Sequence, residues 1–261
     1  MAKGSFFRQL RIGILLLLLA AVALDVGLQR LRTHDWSASE RVALYPIATG
    51  HSPVAARYVQ NLDEKAFKEI ETYFAAQAGR YGIENPLPID LKLRNEIHEL
   101  PPEPPVDAGF VATAWWSLRL RYWAWRVTRD DPGPDTRIRL FLVYHDPATQ
   151  PELPHSLGLR ELLAGVSHLF ASRQQQSLNN IVIAHELMHT LGASDKYDEQ
   201  SNLPIYPHGY AEPGRKPLYP QRAAEIMGGR IAISESSAEM PANLRATLVG
   251  EKTASEIAWQ P

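Results

Sequence analysis

The sequence predicts a mixed α/β fold, an α/β sandwich built around one mixed sheet. Strand-like and helix-like stretches follow the order strand, helix, strand, and then come further strands and a late helix. That order is typical of helices packed on a single sheet. The chain has 261 residues, of which 45% are hydrophobic, so it can build a sizeable core without disulfide staples.

The N-terminal half supplies two strands and one helix. RVALYPI, 41–47, reads as a short strand that Pro46 should disturb near its end. Residues 62–81 have apolar positions at helical spacing, and Gly82 is placed to stop that helix. LPIDLKL, 87–93, alternates apolar positions with polar or proline positions and predicts a second strand, and PPEPP, 101–105, is a stiff connector.

The stretch 110–128 is ambiguous between strand and helix, and its length favours a helix. It places Trp115, Trp116, Trp123 and Trp125 among Arg119, Arg121 and Arg126. These aromatic residues fit a membrane interface, but packing in the core with solvated arginines is the preferred interpretation. Further on, 136–146 predicts a strand, and 162–172 fits either an edge strand or a helix.

The N-terminus predicts export. A positive n-region, 1–11, contains Lys3, Arg8 and Arg11. It is followed by an apolar segment, 12–28, and then by a polar linker, 29–41. The segment fits a signal anchor or a signal peptide cut after Ala21-Val22-Ala23, and its continuation to Leu28 favours the anchor. We therefore expect residues 42–261 on the extracytoplasmic side, in the periplasm or at the cell exterior, membrane-anchored or, after cleavage, secreted.

Charge and cysteine content exclude several classes of function. The net charge is −2 and no long basic run appears, which argues against nucleic acid as a partner. There is no cysteine, which excludes disulfides, thiolate metal ligands and a thiol that holds an enzyme latent. Histidine and carboxylate side chains remain as the strong metal ligands.

The stretch IVIAHELMHTLGASDKYD, 181–198, places two histidines and a glutamate within an apolar helical pattern. Histidines four residues apart lie one turn apart on the same side of a helix, so His185 and His189 can point a ring nitrogen at one ion. Glu186 is offset by about 100 degrees, beside the ion, where its carboxylate can take a proton from a metal-bound water. The pattern therefore predicts a catalytic metal site.

Two later residues extend the motif to HExxHxxGxxD. Gly192 stands where the helix can turn sharply through a left-handed conformation, and Asp195 follows three residues later as a third ligand. A catalytic zinc ion needs three protein ligands and one open position, which this spacing supplies. Asp198, Glu199 and His208 are the alternative third ligands.

The motif HELMHTLGASD resembles that of the metzincin zinc peptidases, in the aspartate form of snapalysin-type and immune-inhibitor-A-type secreted enzymes. The resemblance implies Zn²⁺ on His185, His189 and Asp195, with Glu186 as catalytic base. It implies a zinc metalloendopeptidase acting on peptides or proteins, with a metzincin-like α+β catalytic domain at 42–261. That fold combines a mixed sheet, a backing helix at 62–81, the active-site helix and a binding edge strand, which we expect at Gly165–Ala171.

Metzincins also carry a methionine in a tight turn beneath the metal. Met227, in AEIMGGR, is followed by two turn-forming glycines and is the best candidate. Some relatives have a tyrosine two residues after that methionine, where this chain has Gly229. Possible substitutes are Tyr197, Tyr206, Tyr210 and Tyr219. The loop 198–220, rich in proline and glycine, is expected to frame the cleft.

Two alternatives remain open from the sequence. A zinc hydrolase can act on cell-wall peptides or other amides instead of proteins. A membrane-tethered binding or regulatory protein can keep the shape of such a site without turnover, although the intact motif argues against it.

Overall fold

The computed structural model describes residues 36–50, 52–105, 109–134 and 136–260, together with the single positions 13 and 16. The predicted n-region, apolar segment and most of the linker therefore lie outside the described residues. The chain divides into two compact units, Met1–Trp36 and Ser37–Pro261, and the elements below belong to the second. Within the described ranges, no helix is both long and apolar enough to cross a membrane.

A five-stranded mixed sheet organises the second unit, as predicted. Its strands are β1 (Glu40–Ala48), β2 (Ile89–Leu93), β3 (Ile138–His145), β4 (Leu157–Leu159) and β5 (Ala164–Phe170). Their spatial order is β2-β1-β3-β5-β4, in which β4 runs antiparallel to β5 and the other pairs are parallel. Two small sheets pair β6 (Ala224–Glu225) with β9 (Thr247–Leu248), and β7 (Ile231–Ser234) with β8 (Ser237–Glu239).

Among the described residues of the second unit, five α-helices accompany these strands. They are α1 (Pro53–Gln60), α2 (Lys68–Gly79), α3 (Phe110–Thr128), α4 (Gln176–Leu191) and α5 (Glu251–Glu256). The helix predicted at 62–81 is observed as a 3₁₀ turn, Glu64–Phe67, that leads directly into α2. The stretch 110–128 is helical over its whole length, as its length indicates.

Strand β1 lies in the interior of the sheet and is buried without interruption from Val42 to Ile47, as expected for a strand covered on both faces. Pro46 does not end it. The Pro46 carbonyl accepts from the Ile97 backbone N–H at 3.0 Å. This bond lies on the β2 side of β1, beyond Leu44, which is the last residue of β1 that pairs with β2. The missing N–H of the proline therefore leaves the ladder to β3 intact.

Helix α3 covers one face of the sheet, and α1, α2 and α4 cover the other. On the α3 face, Trp123 packs edge-on against Phe141 of β3, with ring centroids 4.6 Å apart. On the opposite face, Tyr58 of α1 contacts the ring of Tyr144 at 5.0 Å. Both cores are apolar, so the sheet is the middle layer of a sandwich.

The stretch 162–172 forms strand β5, but the prediction of an edge at Gly165–Ala171 is wrong. Leu157 and Leu159 of β4 pair with Val166 and Ala164, so β4 lies outside β5 and forms the edge of the sheet. A strand of three residues is too short to show an alternating pattern, so no pattern in the sequence predicts β4.

The tryptophans of α3 divide between two environments. Trp123 is buried, and Trp116 packs against the same core while its indole N–H donates to the Pro102 carbonyl at 2.9 Å. Trp115 and Trp125 are instead 64% and 52% exposed. The expectation of core packing is therefore confirmed for one pair and wrong for the other, because α3 is apolar on both sides.

Candidate metal centre

Helix α4 is held under the sheet by its apolar rows. The rows Ile181–Ala184–Met188–Leu191 and Ile183–Leu187 are buried, as predicted. At the start of the helix, Asn179 accepts from the Phe170 N–H of β5 and donates to the Phe170 carbonyl, which fixes α4 against the sheet. The helix ends at Gly192, whose φ of 112° is the left-handed conformation that favours glycine.

His185, His189 and Asp195 converge on one point. The two Nε2 atoms lie 3.1 Å apart, and Oδ1 of Asp195 lies 3.1 Å from Nε2 of His185 and 3.2 Å from Nε2 of His189. Among the described residues, these three form the one group of histidine and carboxylate ligands close enough to hold a metal ion. The ligand set predicted from the motif is therefore brought together in space.

Backbone carbonyls orient both imidazole rings. Nδ1 of His185 lies 2.9 Å from the carbonyl oxygen of Ile226, and Nδ1 of His189 lies 2.9 Å from that of Ala193. A carbonyl oxygen only accepts, so each Nδ1 donates the hydrogen bond, and in the neutral form of such a ring Nε2 presents a lone pair. Two nitrogen lone pairs and a carboxylate oxygen then face one another without a donor among them, which requires a cation or a proton.

The dimensions of this triangle fit a tetrahedral ion. Nitrogen and oxygen ligands lie about 2.0–2.2 Å from zinc, and tetrahedral angles then separate two such atoms by about 3.3–3.5 Å. The observed separations of 3.1–3.2 Å approach this spacing before any adjustment to an ion. The three residues can therefore hold a metal ion.

The same convergence perturbs the titration of the ligands. Burial alone would lower the pKa of His185, but Asp195 and Glu186 outweigh burial and raise it to about 9. Burial would raise the pKa of Asp195, but the two imidazoles hold it well below its usual range. The raised pKa of His185 and the lowered pKa of Asp195 both favour positive charge beside the Asp195 carboxylate.

Glu186 lies beside this triangle and is almost fully buried. Burial raises its pKa, while the two histidines and the Gly158 backbone N–H oppose that change. One carboxylate oxygen, Oε2, has no hydrogen-bond partner. Glu186 also lines a cavity of about 270 Å³, shared with His185 and Tyr197, into which a substrate group can enter. An unpartnered buried carboxylate oxygen at such a cavity is well suited to accept a proton.

Glu225, which the motif does not include, holds the turn that orients His185. Its Oε2 accepts from the backbone N–H groups of Met227 and Gly228, at 2.7 and 2.9 Å. Its Oε1 accepts from Gly250 and from the Thr253 hydroxyl, at 3.0 and 2.7 Å. Glu225 therefore fixes the backbone that follows Ile226, whose carbonyl accepts the hydrogen bond from His185 Nδ1. In the sequence, the only indication of this role is that Glu225 directly precedes the apolar residues Ile226 and Met227.

A second carboxylate, Glu256 of α5, fixes the backbone around Asp195. It accepts from the Ser194 N–H and hydroxyl, both at 3.0 Å, and pairs with the buried Lys196 ammonium at 2.8 Å. Lys196 in turn donates its backbone N–H to the Met227 carbonyl at 2.9 Å. The residues flanking the third ligand are thus tied to the C-terminal helix and to the turn at 225–229.

Met227 is fully buried within this turn, which Gly229 closes with a φ of 71°. Tyr197 is the tyrosine nearest to the metal ligands, with its ring centroid 6.3 Å from that of His185. Burial, followed by the charges of Asp195 and Glu186, raises the pKa of Tyr197 to about 12.

The other candidates lie elsewhere. Tyr206, Tyr210 and Tyr219 pack against one another, and Asp198, Glu199 and His208 are not part of the metal-binding group. From the loop 198–220, Asn202 lines the cavity at the metal ligands.

No protein-family model matches the sequence, and no curated protein is similar enough to match it. The site is therefore interpreted from its own geometry and from the motif.

Proposed function

We propose that this protein is a zinc metallopeptidase of the metzincin type, which hydrolyses peptide bonds on the extracytoplasmic side of a membrane. The observation that carries the proposal is the convergence of three acceptor atoms, two histidine Nε2 and one Asp195 Oδ1, beside the unpartnered Oε2 of Glu186. This arrangement supplies three protein ligands and an adjacent base, the set that metal-assisted amide hydrolysis requires.

Each residue has a distinct role in the proposed reaction. His185, His189 and Asp195 hold the ion, which when bound polarises the scissile carbonyl and makes water more acidic. Glu186 takes a proton from the attacking water and delivers it to the leaving amine. Tyr197, at the cavity beside His185, is placed to donate a hydrogen bond to the carbonyl oxygen as negative charge develops.

Strand β4 is the element that we propose aligns the substrate. It is the edge of the sheet, and at Gly158 it lies directly against α4, where an added Cβ would come within 2.4 Å of the Glu186 carbonyl oxygen. An extended peptide that adds to this edge would lie next to the metal ligands, and main-chain hydrogen bonds would position its scissile bond. Pro154, His155 and Ser156, just before β4, line the same cavity.

Metal analysis tests the ligands. The full chain, purified in detergent and loaded with zinc, should hold about one ion per molecule, and Asp195→Ala should lose most of it. Asp198→Ala, which removes a nearby carboxylate outside the group, is the matched control and should retain the ion. Equal zinc content in the chain and in Asp195→Ala would refute the assigned ligand set.

Hydrolysis tests the base. Glu186→Gln should keep the ion but lower turnover on a peptide library by about 10²–10⁴-fold. Undiminished turnover would refute the role of Glu186. A zinc-loaded chain that cleaves muropeptides but no protein-derived peptide would identify a cell-wall amide hydrolase, and one that cleaves neither would favour the binding protein.

The proposed location rests on the sequence of the N-terminus, with its positive n-region and apolar segment 12–28. The mass of the mature chain tests it. A mass that includes residues 1–28 supports the membrane anchor, and a mass that begins near residue 24 supports cleavage and secretion.

A further inference from the structure

Helix α3 carries an apolar stripe on the side away from the sheet, which we name the outer stripe. Its members recur at alternating spacings of four and three residues and are Val111, Trp115, Leu118, Tyr122 and Trp125. Their side chains are between 52% and 80% exposed. The outer stripe runs along most of the 19-residue helix. The described residues of the chain leave more than half of the surface of each of its members exposed.

The opposite side of α3 already satisfies the packing needs of the helix. Trp116, Leu120, Trp123, Ala124 and Val127 form an inner stripe that packs on β1, β3 and β5. A helix on the surface of a water-soluble domain normally has one apolar stripe and a polar outer face. The outer stripe is therefore surplus to folding, and exposed apolar surface of this extent marks a site of interaction.

The charges along α3 indicate the chemistry of the partner. The helix contains Arg119, Arg121 and Arg126 and no acidic residue. Arg126 pairs with Glu99 at the surface, and Arg129, just beyond the helix, pairs with Asp130 and lies 5.7 Å from the ring of Trp125. Tryptophan and tyrosine combine an apolar body with a polar tip, which suits the boundary between lipid and water. Arginines beside them are attracted to anionic headgroups.

We propose that α3 docks on an anionic bilayer. It would lie along the membrane surface, with Trp115, Leu118 and Trp125 at the level of the headgroups. The inner stripe remains packed on the sheet, so the helix lies in the interface and does not cross the bilayer. This inference rests on α3 and, for its partner, also on the membrane location proposed from the N-terminal sequence, and it is independent of the proposed zinc chemistry.

A second copy of the chain is a poorer partner for the outer stripe. The spacing of four and three would permit a coiled coil, but α3 offers no acidic residue to pair with the arginines of another α3. Like charges would then face one another, and large aromatic residues would occupy seam positions that aliphatic residues usually fill. A bilayer surface accommodates both features.

The N-terminal sequence favours the same partner. Only seven residues, 29–35, separate the end of the apolar segment at Leu28 from Trp36. That length spans at most about 25 Å, so a membrane that receives the apolar segment stays within reach of the folded unit. A tether of this length raises the effective concentration of the bilayer, and a weak surface contact can then be occupied.

The absence of cysteine allows a direct test, because one introduced cysteine can be labelled uniquely. The full chain is reconstituted in vesicles of phosphatidylcholine with about one third phosphatidylglycerol, with an environment-sensitive fluorophore at Leu118→Cys. The matched control carries the label at Ala76→Cys, an exposed position of α2 on the opposite face of the sheet. Both chains keep the apolar segment, so a difference between them reports which face meets the lipid.

Nitroxide-labelled lipids should quench the label at position 118 several-fold more strongly than the label at position 76. Adding Arg119→Glu and Trp115→Ser should remove this difference without altering the melting temperature, since both side chains are exposed. Equal quenching at the two positions would overturn the proposal. A change at position 118 that depends on protein concentration and also occurs in detergent without vesicles would overturn it in favour of a second copy.

Discussion

Replacing Glu225 by glutamine tests whether the turn beside the metal ligands depends on this buried carboxylate. Each carboxylate oxygen of Glu225 accepts two hydrogen bonds, and the side chain is fully buried. Glutamine has the same shape but presents one acceptor oxygen and one NH₂ group that can only donate. At least one of the surrounding donors must then lose its partner.

The structure determines which orientation of the glutamine is less costly. If the NH₂ group replaces Oε2, the Met227 N–H loses its acceptor, at about 1.5–3 kcal/mol. The NH₂ group then also opposes the Gly228 N–H, which keeps only the Glu225 backbone carbonyl as its acceptor. If it replaces Oε1, the Gly250 N–H loses its acceptor, but the Thr253 hydroxyl can turn and accept from the amide. The second orientation costs one bond, so we expect a loss of about 1.5–3 kcal/mol in the free energy of unfolding.

Urea unfolding of the metal-free chain at pH 8 measures this loss. The matched control is Glu235→Gln, an exposed glutamate in the β7–β8 turn, which should change the free energy of unfolding by less than about 0.5 kcal/mol. Because Glu225 fixes the carbonyl that orients His185, zinc affinity should also fall by about 10–100-fold. Wild-type stability and zinc affinity in Glu225→Gln would refute the assigned role of this carboxylate.

Three further predictions concern the surroundings of the site. Gly158→Ala places a Cβ 2.4 Å from atoms of α4 and should lower the free energy of unfolding in urea by about 1–3 kcal/mol. The control Gly79→Ala, at an open helical position, should instead raise it by about 0.4–1 kcal/mol. Similar effects of the two substitutions would contradict the close packing of β4 on α4. Burial, and then the charge of His145, lowers the pKa of His168 to about 4. As the pH falls, the unfolded chain therefore binds this proton before the folded chain does, and the free energy of unfolding decreases between pH 6.5 and about 4. Melting temperatures at pH 7.5 and 5 should therefore differ less in His168→Gln than in the wild type, and an equal difference would show that His168 is not responsible. Tyr197→Phe should retain zinc and lower turnover by about 10²-fold; unchanged turnover would remove Tyr197 from the reaction.

The residues that the sequence predicts best are those whose geometry is local. A histidine, a glutamate and a second histidine on one helix keep a fixed relation whatever surrounds them, and Gly192 sets the turn that brings Asp195 back after three residues. Helix α3 was predicted over its whole length for a similar reason, since 19 residues exceed the length of a common strand. Local periodicity and spacing were sufficient in both cases.

The sequence could not predict features that depend on distant parts of the chain. Strand β4 is a strand only because β5 pairs with it, and three residues carry no periodic signal of their own. The division of the α3 tryptophans depends on which face meets the sheet, and a helix with two apolar stripes leaves that choice open. Glu225 and Glu256 lie 30 and 61 residues after Asp195, so no motif spacing connects them to it.

These two carboxylates explain how a local motif becomes a group that can hold a metal ion. A histidine that binds a cation through Nε2 carries its proton on Nδ1, and a hydrogen-bond acceptor at Nδ1 favours this tautomer. That role falls to the Ile226 carbonyl for His185, and Glu225 fixes the turn that presents it. Glu256 similarly holds Ser194 and Lys196, the neighbours of Asp195. The motif thus supplies the ligands, whereas the tautomer of His185 and the position of the third ligand depend on residues that fold in from the C-terminal part of the chain.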